Sequence, residues 1–146
     1  DWMQGYAAHE NQLPPDDQAK CQRAGGDSNI FYCQSRWRLA PGEALLVEPR
    51  RIPRCDAWNF QLSNFWMESL DYRHHRIHLN HHSAVAEPDG RVRIVVAHRD
   101  PGPRFPNWLE TAGHDCGGML FRWIGAAEHP PIDTRVLPFE SLASLA

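Results

Sequence analysis

The chain has 146 residues, the size of one domain. With 42% hydrophobic and 23% charged residues it has the composition of an ordinary globular protein. Its formal net charge of −3 argues against a nucleic-acid binder that works by bulk positive charge, and no apolar run reaches the roughly 18–20 residues of a membrane-spanning helix.

The basic residues are unusual. Of fifteen lysines and arginines only Lys20 is a lysine, and there are nine histidines besides. The arginine preference reads either as genome composition or as guanidinium forks for carboxylate, sulfate or phosphate. Protonating all nine histidines would move the formal charge from −3 to +6.

Residues 1–28 read as a helical lead-in. Trp2 and Tyr6 stand at helical spacing, Leu13-Pro14-Pro15 breaks the pattern, and Asp16-Asp17 suit the first turn of a short helix that ends before Gly25-Gly26. From Asn29 to Ala146 the texture is β. Ile30–Leu39 is an aromatic-rich strand stopped by Ala40-Pro41-Gly42, and Glu43–Glu48 is a short apolar strand.

Ala57–Trp66 is the clearest alternating segment. Trp58, Phe60 and Leu62 point one way; Asn59, Gln61 and Ser63 point the other, either to solvent or into a polar cleft. Glu87-Pro88-Asp89-Gly90 predicts a tight turn between strands Ser83–Ala86 and Val92–Ala97. Gly118–Ile124 and Thr134–Pro138 are further strands, and Phe139–Ala146 is weakly helical. The expected fold is all-β: a jelly-roll-like antiparallel β-sandwich with short helices at both termini.

Two constellations carry chemistry. If the hairpin closes around Pro88-Asp89-Gly90, the register places His82 opposite Val96 and Asn80 opposite His98, with His78 next along the strand. Imidazoles gathered there suit a divalent transition metal or acid–base work, with Asp71, Asp100 or Asp115 as acceptors behind them. A one-residue slip would scatter them to the solvated surface.

The second constellation is the long connection from His98 through Asn107-Trp108 to His114 and Gly118. Trp108 either stacks on a sugar or other ring with Asn107 fixing orientation, or plugs the core while Asn107 caps a turn. Arg122 shares a strand face with Leu120 and Ile124, where a buried guanidinium needs a carboxylate partner or a bound anion. Cys116 beside His114 and Asp115 is a weaker candidate for an activated thiol. No G-x-S-x-G elbow, Walker loop or dinucleotide fingerprint is present. Cys21, Cys33, Cys55 and Cys116 form no C-x-x-C pair and read as reduced thiols, which places the chain in the cytoplasm by expectation.

Several runs carry a resemblance. They are Cys55-Asp56-Ala57-Trp58-Asn59-Phe60-Gln61-Leu62, Ser69-Leu70-Asp71-Tyr72-Arg73, Asp100-Pro101-Gly102, Asn107-Trp108-Leu109-Glu110-Thr111-Ala112-Gly113-His114 and Phe121-Arg122-Trp123. From about Leu39 to Leu137 the chain resembles the bacterial family numbered 1214 among the domains of unknown function. The resemblance implies a jelly-roll sandwich that forms the C-terminal part of a longer protein, which fits a chain starting at Asp1. It implies no catalytic role. Pro103-Arg104-Phe105 departs from the family's shorter link.

Three readings of function follow. One is a module that binds a small polar molecule or glycan at one end of the sandwich through Trp58, Asn107, Trp108, His114 and Arg122. Another is a metal-dependent enzyme that uses His78, His82 and His98. The last is a structural or assembly domain that packs on a missing N-terminal domain or on its own copy. Nucleic acid and membrane are not expected partners.

Overall fold

Apolar side chains at every second residue give three strands one buried face each, and these strands build the centre of the molecule. The computed structural model describes residues 2–145. Its strands are β1 (Ile30–Arg38), β2 (Glu43–Pro49), β3 (Ala57–Leu62), β4 (His78–Asn80), β5 (Ile94–Ala97), β6 (Trp108–Glu110), β7 (Cys116–Ile124) and β8 (Ile132–Pro138). Two short helices precede them, α1 (Trp2–Ala7) and α2 (Gln18–Arg23), and a 3-10 helix (Phe139–Ser144) follows.

The strands form two four-stranded sheets, ordered β1-β7-β3-β4 and β6-β5-β2-β8. The chain crosses between sheets at every connection except β3–β4 and β5–β6. This is the expected all-β sandwich with short terminal helices. One pair departs from antiparallel order, since β5 and β6 run parallel.

Trp37 from β1, Trp58, Phe60 and Leu62 from β3, and Met119, Phe121 and Trp123 from β7 fill the space between the sheets. Register explains the layering: Trp58 lies opposite Trp123 and Phe60 opposite Phe121 on neighbouring strands. The second sheet is apolar on both faces. Leu45, Val47, Ile94 and Val96 join the main core. Ala44, Leu46, Val95 and Ala97 pack instead under Phe105 and Leu142. The unbroken run Ile94-Val95-Val96-Ala97 is therefore a strand covered on both sides rather than a half-exposed one.

The same strand is paired on both edges, which overturns the expected hairpin. The turn itself forms, with Gly90 N–H donating to Glu87 O (2.8 Å) and Glu87 N–H to Arg91 O (2.7 Å). Gly90 takes φ +84°, a backbone conformation that suits glycine. Beyond the turn no strand forms at Ser83–Ala86. β5 already has β2 on one edge and β6 on the other, so residues 80–84 find no free edge to pair with. The buried Asn107 carboxamide bridges the two arms instead. It accepts from Val85 N–H (2.8 Å) and donates to Val85 O (2.7 Å) and Arg93 O (3.0 Å).

The lead-in belongs to the same body as the sandwich. Leu13 inserts into the main core, and residues 11–18 run along the outer edge of β1. Asn11 N–H donates to Arg36 O (2.7 Å) and Asp16 N–H to Tyr32 O (3.0 Å). Two side-chain amides imitate a neighbouring strand. Gln18 accepts from Tyr32 N–H (2.8 Å) and donates to Tyr32 O (2.9 Å). Asn11 accepts from Arg38 N–H (2.9 Å) and donates to Arg38 O (2.8 Å).

Carboxylates fasten this segment. Glu10 pairs with Arg36 and Arg38, and Asp16 accepts from Gln34, Tyr6 and Cys21. Burial alone would raise both acids. The arginines beside Glu10 nevertheless bring it below its ordinary value, as the hydrogen bonds from Gln34, the Asp17 backbone, Tyr6 and Cys21 do for Asp16. A carboxyl with a lowered folded-state pKa stabilises the fold above its unfolded value and loses that contribution as pH falls through the folded one. Between pH 7 and pH 3, the hydrogen-exchange protection factors of Tyr32 and Arg38 N–H, corrected for the intrinsic rate at each pH, should therefore fall more than those of core amides of β7. The Glu10→Gln/Asp16→Asn variant should show little of this acid response.

Candidate functional site

Directly opposed residues in a sheet share a face, so the register of the first sheet lays out its outer surface. One row reads Tyr32, Arg122, Asn59, Asn80, and the next reads Gln34, Leu120, Gln61, His78. The amide-rich face of β3 thus lies against Arg122 of β7. It is a covered face as well: Asn59, Gln61 and Arg122 are all half-buried. Gln61 and Arg122 line a cleft of about 140 Å³ with Tyr6, Gln34, Ser63 and Met67.

Arg122 dominates this cleft. Its Nη1 donates to Asn59 Oδ1 and to Gln61 Oε1, each at 2.9 Å. Among the described residues it hydrogen-bonds no carboxylate, and its Nε and Nη2 hydrogens have no protein acceptor. Those two atoms form the side of a guanidinium that grips a carboxylate with two parallel bonds. Burial pushes the Arg122 pKa down from its ordinary value, the expected response of a cation with no counter-ion. Gln34, which lines the same cleft, donates its Nε2 hydrogen to Asp16. Burial and then the Asp16 charge raise the Tyr6 phenol well above its usual range, so Tyr6 stays a neutral donor.

Two glycines let the far wall approach. β3 ends at Leu62 and the chain folds back over β7, with Ser63 N–H donating to Gly118 O (2.8 Å). A Cβ on Gly117 would lie 2.0 Å from Ser63 O, and one on Gly118 would lie 2.5 Å from Ser63 Oγ. Asn64 then shapes the loop, its Oδ1 accepting from Trp66 and Glu68 N–H, both at 2.9 Å. Met67 is held between them at φ +64° and reaches the cleft.

Of the five residues expected to bind a ligand, Arg122 lies in this cleft and the others do not, while Gln61 and Ser63 of the amide-rich face do line it. Trp58 is on the opposite face of β3, 3% exposed and stacked on Phe121 with ring centres 5.4 Å apart. Asn107 is consumed by the Val85–Arg93 bridge. Trp108 packs against the second core and donates to Ala97 O (3.2 Å). His114 is exposed on a turn, its N–H donating to Thr111 O. The structure therefore does not gather these five side chains at one end of the sandwich.

The three histidines do not converge either. His78 is on β4 in the first sheet, opposite Gln61. His82 sits in the turn that Asn80 Oδ1 closes. His98 follows β5 in the second sheet, with its ring nitrogens 2.8 Å from Thr111 Oγ1 and 3.2 Å from Leu39 O. The physical reason is the missing Ser83–Ala86 strand, which sends β4 and β5 to different sheets. Among the described residues no group of three or more His, Cys, Asp and Glu is placed to hold a metal ion.

All four cysteines are free thiols. Cys116 is not activated, because burial and then the Asp115 hydrogen bond raise its pKa. Burial, reinforced by Asp16, takes Cys21 to about 11 and Cys33 to about 12.

Sequence reading missed Tyr6, Gln34 and Met67 as parts of the site. The adjacent Gly117-Gly118 inside a strand was the available signal, since paired glycines there mark a close backbone approach.

Two solved structures resemble the chain. An uncharacterised protein from Burkholderia cenocepacia is 50% identical over 96% of this chain, with a TM-score of 0.92. The VPA0106 protein from Vibrio parahaemolyticus is 16% identical over 73% of this chain, with a TM-score of 0.53, and shows likeness of fold alone. The chain spans 38% of the Burkholderia protein's length and 31% of the Vibrio protein's. No family model and no curated protein matches. The comparisons therefore support an uncharacterised β-sandwich domain.

Proposed function

We propose that this sandwich is a ligand-binding domain, and that it takes a small carboxylate-bearing molecule in the cleft on the outer face of its first sheet. The observation that supports this most directly is Arg122. It is a half-buried guanidinium whose protein partners are two neutral amides and whose Nε–Nη2 side has no protein acceptor. Folding alone does not favour such a group, because desolvating an unpaired cation is costly. An anionic ligand would restore what burial removes. Asn59 and Gln61 fix the plane of the guanidinium, and Gln34 and Tyr6 add polar surface beside it.

The test is a titration with acetate against its neutral isostere acetamide, followed by NMR of the Arg122 Nε–H and Gln61 side-chain signals. Acetate should shift both in a saturable way and acetamide should shift neither. Arg122→Met should weaken acetate binding at least about tenfold, the loss expected for a charge-assisted pair of hydrogen bonds. Thermal stability of Arg122→Met should equal or exceed that of the parent, because a half-buried cation with no ionic partner is removed. A folded Arg122→Met protein that binds acetate like the parent would overturn the proposal.

A further inference from the structure

The polar cleft does not end at Arg122. A second hollow of about 240 Å³ opens beside it, lined by Cys21, Ala24, Gly26 and Tyr32 and sharing Gln34, Met67 and Leu120 with the first. The two hollows therefore meet at these three side chains. Their surfaces differ in character. The first holds the guanidinium and the amides; the second is walled by the methyl of Ala24, the thiol of Cys21 and the side chains of Leu120 and Met67.

Three details show that this apolar end is built into the fold. Leu120 lies on the outer face of the central strand β7, directly opposite Gln34 on one side and Gln61 on the other. It is an apolar residue set in a polar row, and it is only half-buried. Met67 stays 45% exposed, yet its backbone is held in a left-handed conformation that disfavours a residue with a side chain. The Asn64 hydrogen bonds to Trp66 and Glu68 maintain it there. Cys21 is fixed by Asp16, and its thiol stays protonated and so presents an uncharged wall.

We infer that the ligand is an amphipathic carboxylate, whose anionic head meets Arg122 and whose short hydrocarbon tail lies along Leu120 and Met67 toward Ala24. The inference rests on the carboxylate reading above and narrows it to a chemical class. The head is selected by charge at one end of the cleft, and the tail by burial of apolar surface at the other. A flexible thioether such as Met67 adapts to tails of different shape, as methionine does at other binding surfaces. Acetate alone would leave the second hollow empty.

The experiment is calorimetric titration of the intact chain with the straight-chain series acetate, butanoate, hexanoate and octanoate. Affinity should rise by up to about fourfold per methylene, the gain for burying each CH₂ group, and then level off when the hollow is filled. Leu120→Gln and Met67→Gln should both flatten the rise. Hexanol, with a tail but no anionic head, should bind more weakly than hexanoate. Equal affinity for acetate and octanoate would overturn the tail assignment and leave the Arg122 site standing. A rise that persists unchanged in both variants would also overturn it. If no member of the series binds the parent protein, the Arg122 site falls with it.

Discussion

Phe121→Ala should lower the free energy of unfolding by about 3–5 kcal/mol, the range for deleting a large aromatic side chain from a packed interior. Phe121 is 0% exposed at the middle of the central strand of the first sheet. Its ring stacks on Trp58 at 5.4 Å, meets Phe60 at 6.0 Å and meets Trp123 at 4.6 Å. Each neighbour is a rigid ring anchored on β3 or β7, so little can relax into the hole that the substitution leaves. Domains of this size are stable by only about 5–15 kcal/mol, so the loss is a large share of the total. A urea titration should show a lower midpoint with an unchanged slope. Phe121→Leu should cost clearly less, since it keeps most of the volume. A loss below about 1 kcal/mol in Phe121→Ala would mean that this aromatic cluster is not the centre of the core.

Gly117→Ala should also be severe, at about 3 kcal/mol, the upper part of the range for forcing extra volume into a packed site. The added Cβ would stand 2.0 Å from a backbone carbonyl, Ser63 O, and would press on Trp37 Nε1 at 2.8 Å. Backbone cannot rotate aside, so β3 and β7 would have to separate where the cleft begins. Gly118→Ala meets a softer obstacle, the Ser63 hydroxyl at 2.5 Å, while Ser63 Cβ is 3.9 Å away. Its cost should be smaller and should be largely recovered in Gly118→Ala/Ser63→Ala. The same second change should not rescue Gly117→Ala. Thermal melts of the four proteins decide it, and equal rescue of both glycine variants would show that the contact is misplaced.

These residues also mark where the sequence was informative. The alternation Trp58-Asn59-Phe60-Gln61-Leu62 is a strong period-two signal, and β3 has that inward and outward set. The same alternation already separates Trp58 from Asn59 and Gln61, so one cleft could not be lined by all three. Asp17 caps α2 by accepting from Lys20 N–H, as the Asp-Asp pair before the helix suggested. The face that Arg122 shares with Leu120 and Ile124 followed from strand geometry, but that this face is the outer one did not.

What stayed hidden was decided by pairing between distant segments. β4 and β6 are three residues each, too short to carry a periodic pattern. The hairpin around Gly90 obeyed local turn chemistry, but the partners of β5 were settled by competition for its two edges. β2, separated from it by more than forty residues, took one of them. The polar partners of Arg122 come from β3, and the cleft walls come from the lead-in and the loop after β3. No sequence window contains them together.

The strip of chain that runs beside β1 has a further consequence. β1 is nine residues long and stands at the border of its sheet, whereas the opposite border, β4, has only three residues and stops in a turn. With residues 11–18 in place, the outward N–H and C=O groups of Tyr32 and Arg38 and the C=O of Arg36 are already taken. A chain trimmed to start at Asn29 would keep all eight strands and bare those groups. Exposed strand borders of that length recruit the borders of other molecules. The amides of Asn11 and Gln18 thus act as terminators. They occupy the backbone groups through which a further strand would otherwise add to this border.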